Sequence, residues 1–206
     1  LGARARMIGM LGDDPFGDEL RRNLSAEGVD VSAVGTAAGT ATGMALIVVQ
    51  ADGENTITLS PGANAVLPPA ATGAADVLLM NLEVPLAAVI AAARSTDALR
   101  VLNAAPFLET DISELLRNLD VLVVNETEAA ALLGGPGSDP AALLALGPGT
   151  AVVTLGAEGA IAATADRTWA QKGFSVEALD AVGAGDAFCA ALAVALGSGA
   201  GMDTAL

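Results

Sequence analysis

The sequence has no histidine and no tyrosine, a single cysteine, Cys189, and a single lysine, Lys172. Without histidine there can be no Ser-His-Asp or Cys-His catalysis and no His-based metal site. Without a second cysteine there can be no internal disulfide, which fits a reducing cytoplasm. Cys189 lies in an apolar helical stretch and reads as a buried structural thiol. Basic residues are few as well, 9 against 24 acidic ones, for a formal charge of −15. Such a surface repels nucleic acid and anionic lipid. A phosphate site on it must be built locally, from backbone dipoles and metal ions. No apolar run reaches membrane-spanning length, and no charged-then-apolar leader opens the chain. The acid–base groups that remain are Asp, Glu, Lys172 and Cys189.

What the chain does have is alternation. RMIGMLG, residues 6–12, reads as a buried strand, and DPFGDELRRNL as a helix with Pro15 in its first turn and Gly28 beyond its end. Residues 42–49 and 55–59 are strand-like on either side of QADGE, which predicts a β-hairpin acting as a lid or edge ribbon. From residue 70 onward strands and helices alternate: ADVLLMNLEVP, LAAVIAAAR, LRVLNAAP, DISELLRNL, DVLVVNETEAAALLGG, DPAALLALG, GTAVVTLGAEGAIAA and a last apolar helix from Asp186. Alternation of this kind implies a mostly parallel central sheet covered by helices on both faces, a three-layer α/β sandwich, with the small β lid added. Ligands of such sheets bind at the C-terminal strand ends. Residues 81–83, Asn103, residues 125–128, 154–156 and 183–186 are all expected just after strands, on one rim.

Three small residues, Gly183, Ala184 and Gly185, stand directly before Asp186 and the last helix. They can serve close strand–helix packing. They can equally gather free backbone N–H groups at a helix N-terminus, a ready anion site. A carboxylate beside a bound phosphate needs a task, such as removing a proton. The stretch is neither a Walker motif nor a GxGxxG fingerprint, so a nucleotide-cofactor oxidoreductase lacks its signature. NETEAAALL admits two readings as well, since Asn125 and Glu128 are spaced for a capping box. Glu83, ahead of Pro85, either binds a sugar hydroxyl or is merely solvated.

Taken in order, IGMLGDDPFGDELRRNLSAEGVDVSAV, TGMALIVVQADGENTITLSPGAN, LLMNLEVP, VLNAAP, NETEAAALL, VVTLGAEGA and DAVGAGDAF resemble the ribokinase-like sugar kinases, the phosphofructokinase B family, on the ribokinase branch. The likeness covers nearly the whole chain, and DAVGAGDAF is its most specific part. It implies an ATP-dependent kinase acting on a primary hydroxyl of a small sugar, ribose foremost, with magnesium and potassium as cofactors. Asp186 matches the base that deprotonates the sugar hydroxyl. Gly183, Ala184 and Gly185 match the anion hole. Asn125 and Glu128 match the motif near the nucleotide phosphates and magnesium, and Thr154 and Gly156 match nucleotide contacts. Glu83 matches a ribose contact, and Asp180 and Val182 a monovalent-cation loop.

Ala181 departs from the family's usual Thr after Asp180. Family members also carry segments beyond both ends of these residues, including a Gly-Gly sugar motif. The expectation is therefore a single ribokinase-like domain over residues 1–206 that lacks terminal segments and is not a complete catalyst by itself. A cytoplasmic homodimer through the hairpin at about residues 42–59 is expected, with sugar and ATP as small-molecule partners. Kinases of fructose, 2-keto-3-deoxygluconate or adenosine, and a non-catalytic sugar or nucleotide sensor on the same fold, stay open as alternatives.

Overall fold

A computed structural model describes residues 2–49, 55–176 and 182–206. The chain divides into two compact units, one of residues Gly2–Pro69 with Glu83–Ala88 and one of Ala70–Leu82 with Val89–Leu206.

The larger unit is built on a six-stranded sheet. Its strands are β5 (Val77–Met80), β6 (Leu99–Asn103), β7 (Val121–Asn125), β8 (Thr150–Thr154), β9 (Gly159–Ala163) and β10 (Thr168–Lys172), numbered to follow four strands of the smaller unit. The order across the sheet is β10-β9-β8-β7-β6-β5. Neighbours from β5 to β8 are parallel, and β9 is antiparallel to both β8 and β10. The run of Val and Leu in β7, VLVVN, is the mark of a strand covered on both faces, and Val121, Leu122, Val123 and Val124 are all buried. Because side chains alternate along a strand, Val121 and Val123 face one way and Leu122 and Val124 the other. The first pair joins Val101, Val152 and Ala162 under Cys189, Leu192 and Ala193 of α6 (Ala184–Gly197), beside α7 (Met202–Ala205). Helices α4 (Glu126–Leu133) and α5 (Pro140–Leu143) also pack on the sheet, with Leu143 fully buried. The expected parallel sheet is thus present, with its antiparallel strands confined to one side. Helix α3 (Ser113–Leu116) contributes two more buried leucines, and α2 (Leu86–Arg94) follows the turn after β5.

The smaller unit holds β1 (Arg6–Gly12), α1 (Pro15–Ala26), β2 (Asp30–Ala37) and an antiparallel ribbon of β3 (Met44–Val49) and β4 (Asn55–Ser60). The ribbon is the hairpin expected from the sequence; its turn, residues 50–54, lies outside the described residues. Helix α1 starts as expected, with Pro15 in its first turn and Asp14 as its N-cap. Two expectations need correction. The strand β2 was not anticipated, because DVSAVGTA alternates weakly and carries a glycine. And β1 is not a buried strand: among the described strands it pairs only with β2, and Met7 is 46% exposed. Arg21 ties α1 to β2, donating to the carbonyls of Val34 and Gly35 and to the Thr36 hydroxyl.

Candidate active site

The site candidates of the larger unit are set by where its parallel strands stop. Asn103 ends β6 and Asn125 ends β7, and Asn125 is the register partner of Thr154 at the end of β8. Asn81 follows β5 directly. Four strand ends therefore place polar residues on one rim, as the alternation implied.

Helix α6 brings the glycine turn to that same rim. Its last residue, Gly197, lies so close to Val77 that an added Cβ would come within 2.3 Å of the valine side chain. Val77 begins β5. A helix of 14 residues is about 21 Å long, and its first turn therefore lies toward the end where β5 stops. The residues that directly precede this turn fall outside the described residues. Strand β10 ends at Lys172, and residues 177–181, which include Asp180 and Ala181, lie outside the described residues.

Gly183 caps α6 in the left-handed region, at φ 75°, and supplies no side-chain hydrogen bond to the helix. Only glycine takes this conformation without strain. Its carbonyl accepts from the N–H of Ala187 at 2.9 Å, so the N–H groups of Ala184, Gly185 and Asp186 stand in the first turn, where helix geometry provides no acceptor. A Cβ added at Gly183 or at Gly185 would meet none of the described residues within 4 Å. Asp186 is exposed in this first turn, and Val182 is exposed just ahead of it.

At the end of β7 the structure shows a complete capping box. Asn125 Oδ1 accepts from the N–H of Glu128, and Glu128 Oε2 accepts from the N–H of Asn125, both at 2.8 Å. The local, structural role open in the sequence is therefore real, and it engages only one oxygen of the Glu128 carboxylate. Burial raises the Glu128 carboxyl above its ordinary range, opposed by the Asn125 hydrogen bond. The Cys189 thiol is pushed up to about 11, first by burial and then by the charges of Asp186 and Glu128. It is no nucleophile. Its shift also ties two motifs together, since both carboxylates act on one buried group.

Beyond β8 the chain turns tightly. The N–H of Leu155 donates to the carbonyl of Gly159 at 2.8 Å, and Gly156 sits between them at φ 55° with open space where a side chain would be. Thr154 turns its hydroxyl toward the Val124 carbonyl, at 3.4 Å. The larger unit thus gathers Asn125, Glu128, Thr154, Gly156 and the α6 turn on one rim. Glu83 is exposed and belongs to the smaller unit. Among the described residues no group of three or more His, Cys, Asp or Glu side chains is placed to hold a metal ion.

All of residues 1–206 match the pfkB family of carbohydrate kinases. The chain belongs to that family. It is a phosphotransferase with an alcohol group as acceptor. Ribokinase from Haemophilus influenzae is 34% identical over 213 residues, which cover 95% of this chain and 69% of that one. Deoxyribokinase from Salmonella typhimurium is 33% identical over 206 residues, covering 91% and 67%. The structure of Arabidopsis thaliana ribokinase complexed with ribose and ATP superposes with a TM-score of 0.88 at 28% identity, covering 98% of this chain and 72% of that one. This carbohydrate kinase therefore has the ribokinase fold that its motifs implied, and no helix among its described residues is long and apolar enough to cross a membrane.

Proposed function

We propose that this kinase transfers the terminal phosphoryl group of ATP to the 5-hydroxyl of ribose, in a reducing cytoplasm. The observation that carries the reading is the open first turn of α6, with Asp186 inside it on the rim that also holds Asn125, Thr154 and Gly156. Phosphoryl transfer asks for positioning and charge stabilisation more than for covalent chemistry. The N–H groups at Gly183, Ala184 and Gly185 would meet the charge that builds on the moving phosphoryl group. Asp186, at the same turn, would take the proton as the sugar oxygen attacks. Glu83 would hold a ribose hydroxyl, and Thr154 and Gly156 would meet the nucleotide.

Glu128 fits an indirect role toward magnesium. Oε2 holds the Asn125 N–H, while its other oxygen takes no hydrogen bond among the described residues and is left to meet a hydrated ion. Magnesium, when bound, offsets charge on the nucleotide phosphates. Asp180 and the Val182 carbonyl are hard oxygen donors of the kind potassium takes, ahead of the same turn.

The ribbon supports a homodimer. Met44 and Leu46 lie on one face of it and Leu59 on the other, and they are 55%, 62% and 53% exposed. A lone two-stranded ribbon is marginal in water, and a partner ribbon would cover both its apolar residues and its edges. Sedimentation at micromolar concentration tests this, and a monomer overturns it.

The function is tested by a coupled assay of ADP release with ribose, 2-deoxyribose, fructose, 2-keto-3-deoxygluconate and adenosine, and by nuclear magnetic resonance of the phosphorylated product. Ribose should give the highest kcat/KM, with phosphate on the 5-oxygen. Absence of turnover with every acceptor, while ATP still binds, would favour a sensor.

A further inference from the structure

The GDDPFG stretch has no part in the chemistry so far, yet it makes the most saturated polar contact in the smaller unit. Asp14 accepts three hydrogen bonds. Oδ1 takes the N–H of Gly17 at 2.8 Å and the hydroxyl of Thr42 at 2.6 Å, and Oδ2 takes the N–H of Thr42 at 2.7 Å. The Thr42 hydroxyl in turn accepts from the N–H of Gly12 at 3.0 Å. Thr42 stands two residues ahead of β3 and is 7% exposed.

The backbone is shaped to allow this. A Cβ on Gly12 would lie 2.2 Å from the Thr42 nitrogen, and one on Gly17 would lie 2.4 Å from the Gly12 carbonyl oxygen. Both distances are below any real contact, so only glycine fits at either place. The exit of the ribbon is held at the same spot. The N–H of Ala63 donates to the carbonyl of Ala41 at 2.8 Å, and a Cβ on Gly62 would strike that same carbonyl. The entry of the ribbon is therefore fastened to the turn between β1 and α1, and its exit is fastened to the entry at Ala41. No apolar cluster shares the task, since among described residues 2–69 the only buried hydrophobic side chains are Val34 and Ala63.

We propose that Asp14 is a positioning residue, whose carboxylate clamps Thr42 and so sets the attitude of the β3–β4 ribbon when it closes on the sugar. The clamp rests on the reading of the ribbon as the lid of a sugar kinase. The ribbon then pivots beyond residues 42 and 61, or carries β1 and α1 with it, but does not swing at its root. Asparagine at position 14 replaces one acceptor with an amide that faces the Thr42 N–H or hydroxyl, donor against donor. Thr42→Val removes the hydroxyl and keeps the shape, and Thr42→Ser keeps both the hydroxyl and the N–H contact.

The test uses the full-length protein with kinetics and amide hydrogen exchange side by side. Asp14→Asn should raise the KM for ribose about tenfold while ATP affinity, read by titration, stays within about twofold. Ribose-independent ATP hydrolysis should rise relative to ribose phosphorylation, because a displaced lid admits water. Thr42→Val should follow Asp14→Asn, and Thr42→Ser should restore wild-type values. Exchange at residues 44–46 and 58–60 should quicken in Asp14→Asn and Thr42→Val, and at residues 121–125 it should not change. Equal loss of sugar and ATP affinity, or Thr42→Ser behaving as Thr42→Val, would overturn the clamp. Should Asp14→Asn fail to fold, the Thr42 pair decides alone. Should the wild type phosphorylate no sugar, the functional reading fails, and unchanged exchange in the ribbon would still overturn the clamp by itself.

Discussion

The two units are held together by different forces. In the larger one, Val101, Leu102, Leu122, Val152 and Val153 are fully buried, and the sheet's order follows from apolar area removed from water. In the smaller one, a carboxylate, a hydroxyl and glycines that admit close backbone approach do the work, and its strands stay largely open. Burial is non-directional and tolerant of small shifts, whereas a saturated carboxylate fixes angle and distance. The larger unit is thus suited to hold a phosphate-binding turn still. The smaller one is suited to hold a ribbon at a chosen angle.

The largest effect should come from the core of the sheet. Leu122→Ala deletes a fully buried side chain between two neighbouring strands and should cost about 2–5 kcal/mol of stability. Val34→Ala, the comparable deletion in the smaller unit, removes less and should cost roughly 1–2 kcal/mol, since its surroundings are half-open and relax. Denaturant melts of both variants check the contrast. Equal costs would mean that the smaller unit has a core of its own.

Chemistry should separate from stability at Asp186. Asp186→Asn should leave the melting temperature and ATP titration close to wild type and lower turnover by roughly 10²-fold or more. Asp186 is exposed in the first turn of α6, so its side chain is not part of the packed core. Near-normal turnover in the Asn variant would remove it from the mechanism.

Glu83 probes the smaller unit in the same way. Glu83→Ala should raise the KM for ribose about tenfold and spare the KM for ATP, because it removes binding of one substrate only. Steady-state kinetics with each substrate varied in turn decide this, and equal weakening of both would contradict the assignment.

The contrast between the units also sets what the sequence could disclose. Burial leaves a periodic trace, so VLVVN, TAVVT and the apolar helix after Asp186 were legible, as were the rim positions just past each strand. The hairpin was legible because its two strand-like runs flank a turn. Polar fastening leaves no trace of that kind. Asp14 and Thr42 are 28 residues apart, and nothing local pairs them. Strand β2 was missed because a half-open strand need not alternate. The GAGD turn was recognised from its motif, while its place on the rim needed the contact of Gly197 with Val77.

The smallest effect sharpens the double role of the NETE turn, where a structural cap and a candidate nucleotide contact share one side chain. Burial raises the Glu128 carboxyl, so its proton is held more tightly in the folded chain than in the unfolded one. An acid shifted this way makes folding less favourable as pH climbs through the window between the unfolded and folded values. Glu128→Gln keeps an acceptor for the Asn125 N–H and removes that charge cost. Its melting temperature at pH 7 should therefore match or slightly exceed wild type, and the fall in stability with rising pH through that window should disappear. If the free oxygen of Glu128 also serves the nucleotide through a hydrated magnesium ion, the same variant should raise the KM for ATP roughly threefold and leave ribose unaffected. Asn125→Ala gives the complementary result, since it breaks the cap and should cost about 1 kcal/mol. A Gln variant that loses stability and keeps its ATP affinity would make Glu128 a cap alone, and the nucleotide side of the rim would then rest on Thr154, Gly156 and the α6 turn.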